Sequence, residues 1–165
     1  MIRCYHLPHQ TLTQREVLYD AKRHAHTAQG LVLSSVHGDL LWCDGGWPGS
    51  CHEQELVQLS GLGGVLDAAG VTTILDRVFR GMAKGRQRWH AQVGDRRTKD
   101  RLTDPQRAFN RCQAELRALV EQAIGHLANA WALRRWRGLL YRVRAVFRAA
   151  GALVCLGRWL HRVRA

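Results

Sequence analysis

The chain has 165 residues, 25 Lys and Arg against 13 Asp and Glu, and a formal net charge of +12. That length predicts one domain burying roughly 70% of its unfolded surface, and an apolar content of 46% argues against disorder. No acidic residue follows Glu121, yet Arg134, Arg135, Arg137, Arg142, Arg144, Arg148, Arg158, Arg162 and Arg164 do, which favours phosphate-rich partners, nucleic acid being the usual one, over a merely solvated helix face.

In chain order, residues 1–18 predict an irregular, histidine-rich lead-in. Ala28 to Val36 predicts a strand, His37-Gly38-Asp39 a turn and Leu40 to Cys43 a second strand, broken by Gly45-Gly46-Trp47-Pro48-Gly49. Ser50 with Glu53 has capping-box spacing, opening a helix that carries Leu56, Leu59 and Leu62. Gly61, Gly63 and Gly64 interrupt it before a short helix over Val65 to Ala69. Val71 to Leu75 is apolar or β-branched throughout, as a strand buried on both faces should be. Met82 to Thr103, rich in Lys, Arg and Gly, predicts a loop. Asp104 as N-cap and Pro105 at the first helical position then open a long helix to Leu133. Along it Phe109, Cys112, Leu116, Leu119, Val120, Ala123, Leu127 and Trp131 recur at three- and four-residue steps. Gly138 interrupts, and Leu139 to His161 continues as basic helix. The order strand, strand, helix, strand, long helix predicts an α/β fold.

Five cysteines, Cys4, Cys43, Cys51, Cys112 and Cys155, form no CxxC pair, which fits a reduced cytosolic protein. His24-Ala25-His26 and Cys51-His52 lack complementary pairs at zinc-finger spacing. Residues 1–10 hold no apolar core of a signal peptide, and the best membrane candidate, Ala149 to Leu156, falls far short of the roughly 20 residues a span needs.

The chemistry-bearing residues are acidic. Asp76 closes the buried strand in Leu75-Asp76-Arg77-Val78-Phe79-Arg80-Gly81, where a carboxylate needs a partner such as a metal ion or a turn to cap. Glu121 follows in the long helix within Arg117-Ala118-Leu119-Val120-Glu121; it stands off the apolar stripe, at i,i+4 from Arg117. Ahead of both comes Pro48-Gly49-Ser50-Cys51-His52-Glu53, and ahead of that Tyr19-Asp20-Ala21-Lys22-Arg23-His24.

Those four strings, in that order, resemble the DDE superfamily of transposase endonucleases, closest to its Harbinger-like and insertion-sequence branches. The resemblance runs from about Tyr19 to Trp159. It implies a ribonuclease H-like mixed sheet flanked by helices, with a core over 19–137 and a basic helical extension over 138–165. Such enzymes cleave and transfer phosphodiesters with two divalent ions, Mg²⁺ or Mn²⁺, held by three carboxylates. Asp76 is similar to the second acidic ligand and Glu121 to the third; Val78 replaces a glycine and Glu53 an aspartate of the family motifs.

The family's first aspartate is not found. The comparable string, His9-Gln10-Thr11-Leu12, puts histidine in its place, so the resemblance implies a truncated member lacking its first strand, with an uncertain enzymatic role. Asp20 and Asp44 are conceivable surrogates. The implied partners are transposon-end and target DNA, contacted by Lys84, Arg86, Arg88, Arg96, Arg97, Arg134, Arg135 and Arg137, and a second copy in a homodimer, with no membrane and a place beside the bacterial nucleoid. An inactive DNA-binding remnant is the close alternative. A basic helical module for anionic membranes or acidic proteins, built on Leu139 to Arg164, is the third.

Overall fold

The computed structural model describes residues 1–8, 18–94, 101–129, 133 and 140–164. Strand β1 (Ile2–Pro8) runs through the middle of a mixed sheet. It pairs antiparallel with β3 (Ala25–Ser34), from Ile2↔Leu33 to Pro8↔Thr27, and parallel with β5 (Thr73–Leu75) at Ile2↔Leu75. β4 (Leu40–Pro48) lies antiparallel on the other edge of β3, and β6 (Trp89–Ala91) lies parallel to β5. The order is therefore β4-β3-β1-β5-β6, with the two-residue β2 (Tyr19–Asp20) hairpinned onto the start of β3.

Three expectations are corrected here. The lead-in over residues 1–18 is not wholly irregular, because Ile2–Pro8 is the central strand; the sheet does not lack it. Arg3, His6 and Pro8 interrupt its apolar run, so pairing with two distant strands makes it a strand. β6 lies inside the expected loop 82–103 for the same reason, held by Thr73↔Trp89 to Leu75↔Ala91. Gly45-Gly46 does not break β4, which continues to Pro48 across a bulge between Gln29/Gly30 of its partner, with Gly46 at φ 92°.

Helices cover both faces. On one lie α1 (Glu53–Leu59), α2 (Leu62–Ala69) and a 3₁₀ helix (Arg77–Ala83). They bury Leu56, Val57, Leu62, Leu66 and Phe79 against Ile2, Leu31, Leu75, Trp89 and Ala91. The N-cap of α1 is His52, not Ser50: its Nδ1 accepts from the Gln54 N–H at 3.3 Å. On the other face lie α3 (Asp104–Ala128) and α4 (Leu140–Arg164). There Leu127, Leu133, Val143, Phe147 and Ala150 pack on Ala28, Val32 and Leu40. The N-cap of α3 is Thr103, one residue earlier than expected, in a capping box with Gln106; Pro105 follows.

The seat of α4 is built for it. Gly30 and Gly45 face each other across β3 and β4, and a Cβ on Gly30 would come within 2.7 Å of Phe147 Cζ. Only bare backbone admits the ring. Beside it Asp44, with a side chain 1% exposed, accepts hydrogen bonds from two arginines one turn apart on α4. Arg144 Nη2 donates at 2.7 Å and Nε at 3.0 Å, while Arg148 Nε and Nη2 donate at 3.1 Å each. Burial alone would raise the Asp44 pKa, but these guanidiniums and the Gly45 N–H outweigh it and hold the carboxyl below its ordinary 3.8.

A depressed carboxylate pKa gives stability that is complete above the unfolded value and is lost as pH falls through the folded one. Asp44→Ala should therefore cost about 2–4 kcal/mol at pH 7 in urea denaturation, because both guanidiniums are half-exposed and can rehydrate. The difference from wild type should shrink below about pH 4, near the ordinary carboxylate range.

Candidate active site

Asp76 stands at the end of β5, beside β1, where its backbone N–H donates to the Ile2 carbonyl at 3.4 Å. Its Oδ1 accepts from the Arg77 N–H at 2.8 Å and caps the 3₁₀ helix. The cap and a ligand role are compatible, since one carboxylate has about four acceptor directions.

Helix α3 brings the other residues. Asn110 clamps Val93 through both backbone groups, at 2.9 and 3.2 Å, and buried Gln113 donates to the His90 carbonyl at 3.4 Å. These contacts fix α3 across the end of β6. One turn further on, Arg117 Nε reaches Asp76 Oδ1 at 3.5 Å. Glu121 is exposed on the next turn of the same face. The two separate strings thus touch through an arginine: Arg117, the predicted i,i+4 partner of Glu121, pairs with Asp76.

Glu53 opens α1 beside this edge. Buried Gln29 steadies the approach, donating from Nε2 to the Gly49 and Cys51 carbonyls at 2.7 and 3.1 Å. Lys22 Nζ lies 3.5 Å from Glu53 Oε1, and the Cys4 thiol donates to the same carboxylate. Burial, then the charges of Glu53 and Asp76, push the Cys4 thiol well up, so it stays protonated at neutral pH. Sequence reasoning missed this Cys4–Glu53–Lys22 group. The only signal was Glu53 in a family aspartate position, because the strand that delivers Cys4 was not expected.

The family model for DDE superfamily endonucleases matches residues 2–156. The chain belongs to that family. No curated protein and no solved structure matches it.

Such endonucleases act on DNA and generally use divalent metals. The described residues do not fit a two-ion centre. The strand before Tyr19 is β1, Ile2-Arg3-Cys4-Tyr5-His6-Leu7-Pro8, and it carries no acidic residue. The string at residues 9–12 lies outside the described residues. Hard divalent ions want several anionic oxygens, yet Asp76 faces a guanidinium and Cys4 offers a neutral thiol. Among the described residues no group of three or more His, Cys, Asp or Glu is arranged to hold a metal. The surrogates are committed elsewhere: Asp44 to Arg144 and Arg148, and Asp20 to its own turn, accepting from the Lys22 and Arg23 N–H groups at 3.0 and 3.3 Å.

Of the predicted nucleic-acid contacts, Lys84 and Arg88 are exposed beyond the 3₁₀ helix. Arg86 is fixed by Asp67 at 3.1 Å and lies 4.2 Å over the Trp89 ring, and Arg88 donates to the Gly70 carbonyl. Arg96, Arg97, Arg134, Arg135 and Arg137 lie outside the described residues, as do Trp131 and Trp136. Arg158 turns inward like Arg144 and Arg148, onto Asp39 at 3.2 Å and the Gly38 carbonyl at 2.7 Å. Among the described residues no helix is long and apolar enough to cross a membrane.

All five cysteines are free, but unequally reactive. Burial first, then Cys155 and Asp44, raises the Cys43 thiol to about 11. Iodoacetamide at pH 7.5 should label exposed Cys112 fastest and Cys4 and Cys43 slowest, read by peptide mass spectrometry. Equal rates would remove the protonated Cys4 thiol described above.

Proposed function

We propose that this chain is the DNA-holding core of an insertion-sequence transposase of the bacterial nucleoid. Its descent is from a ribonuclease H-like endonuclease and strand transferase, and its metal centre is incomplete. The observation that carries this reading is the Arg117–Asp76 pair: a cation sits where the family chemistry calls for further carboxylates around Asp76. Glu121, on the following turn, is the remaining acid of the motif. Supporting it are family membership over residues 2–156, the strand order and the exposed Lys84 and Arg88 close in sequence to Asp76.

A second reading keeps the cutting activity, with Mg²⁺ or Mn²⁺ between Asp76 and Glu121. It is supported by the Arg117–Asp76 contact, which sets the helix segment that carries Glu121 against the end of β5. Supercoiled-plasmid nicking separates the two. With Mg²⁺ or Mn²⁺, wild type, Asp76→Asn and Glu121→Gln should all bind plasmid and none should nick it. Metal-dependent nicking by wild type that both substitutions abolish would establish the second reading instead.

DNA affinity should fall with salt at a slope near −0.9 per neutralised phosphate. Lys84→Ala should reduce that slope by about 1 in fluorescence anisotropy and leave the unfolding midpoint unchanged. Arg144→Ala should do the reverse, because its guanidinium is held by Asp44.

A further inference from the structure

At the end of the sheet where β1 begins, the turn after β3, β5, α2 and α3 leave a cavity of about 170 Å³ between them. Leu33, Val36, Leu41, Leu66, Ile74 and Leu116 form its walls, and none of the residues that line it has a charged side chain. Val36, Leu41 and Val71 mark its mouth, each between 44% and 59% exposed.

Most hydroxyls around this cavity are already satisfied. Ser35 Oγ accepts from the His37 and Asp39 N–H groups at 3.1 Å each. Thr73 Oγ1 donates to the Val71 carbonyl at 3.3 Å, and Thr72 is exposed to water. Ser34 differs. It is only 2% exposed, and its Oγ meets no hydrogen-bond partner among the described residues. The Met1 amine beside it donates to the Ser34 carbonyl at 2.7 Å, which leaves the hydroxyl as it was. Strand alternation aims that hydroxyl. Leu33 packs into the first core with Ile2, while Val32 belongs to the second, so Ser34 turns to the face of the sheet that α3 covers. Leu116 of α3 closes the cavity on that side.

A buried hydroxyl without a partner costs free energy that an incoming donor or acceptor restores. The size of the occupant follows from the volume, since an apolar cavity of about 150 Å³ accepts a benzene ring. We infer that this cavity binds a small neutral molecule of benzene size, apolar over most of its surface, whose one hydrogen-bonding group meets Ser34 Oγ. An ion would find no counter-charge on the walls, and a wholly apolar molecule would leave Ser34 unsatisfied. Ile74 lies two residues before Asp76 and Leu116 one before Arg117, so the occupant rests against both elements that carry that pair. None of the lining residues is a proposed DNA contact, so the cavity and the nucleic-acid reading stand or fall separately.

Phenol is the probe, titrated into the full chain while the Ile, Leu and Val methyl groups are followed by NMR. The methyls of Leu41, Ile74 and Leu116 should shift saturably, with a dissociation constant on the order of 1 mM. Ser34→Ala should weaken phenol about tenfold and leave benzene, which has no polar group to offer, unchanged. Leu116→Trp should fill the cavity and abolish binding of both, with its fold checked by circular dichroism. Ser34→Ala decides the matter even where that bulkier variant does not fold. Shifts that never saturate, or that lie away from the cavity, would overturn the proposal. So would phenol affinity untouched by Ser34→Ala, phenol and benzene weakened alike by it, or binding that survives in a folded Leu116→Trp.

Discussion

The carboxylate of Asp44 is the point on which the arrangement of the C-terminal half depends. A buried charge without partners costs several kcal/mol, so a carboxylate buried on the outer strand β4 demands cations. Arg144 and Arg148 meet it from one face of α4, and Phe147, between them in sequence, enters the slot left by Gly30 and Gly45. The charge pair sets the register of the helix and the ring sets its depth. Once α4 is fixed, its apolar inner face completes the second core with Leu127 and Val32, and its remaining apolar residues face outward.

At the opposite edge the same chemistry has another consequence. Asp76 meets an arginine rather than other carboxylates. The pair is partly exposed, so its contribution to stability is small, about 0–1 kcal/mol, and its meaning is electrostatic. A guanidinium on the central acid lowers its attraction for a divalent cation by charge repulsion. With a neutral thiol on β1 and Glu53 engaged by Lys22, the anionic field that two metals require is mostly cancelled. The core beneath this edge is hydrophobic, with Ile2, Leu75 and Phe79 packed together, so its packing calls on none of these charged groups.

The net charge of +12 also divides once the chain folds. Among the described arginines after Glu121, Arg144, Arg148 and Arg158 are consumed by Asp44 and Asp39, so they act as internal fasteners. Lys84 and Arg88 stay in solvent, where a phosphate can reach them. Counting cations along a sequence overstates the surface available to DNA, because a guanidinium binds a buried carboxylate as well as a phosphate.

By itself the sequence determined the local features. A strand ends just before Asp76, as its β-branched run predicts, but it spans Thr73–Leu75 and leaves the expected first residue Val71 exposed. The long helix opens at Pro105 and keeps its three- and four-step apolar stripe, although it ends at Ala128 and not at Leu133 as the stripe predicts, and the family follows from motifs carried in order. Periods and caps act within a turn or two, so they are legible from one segment. The tertiary structure alone decided that Ile2–Pro8 and Trp89–Ala91 are strands, that Gly45-Gly46 continues a strand, and that Arg117 pairs with Asp76. It also decided which arginines turn inward. Each of these depends on a hydrogen bond, a slot or a charge supplied by residues tens of positions away, and no local pattern of side chains encodes where that partner will be.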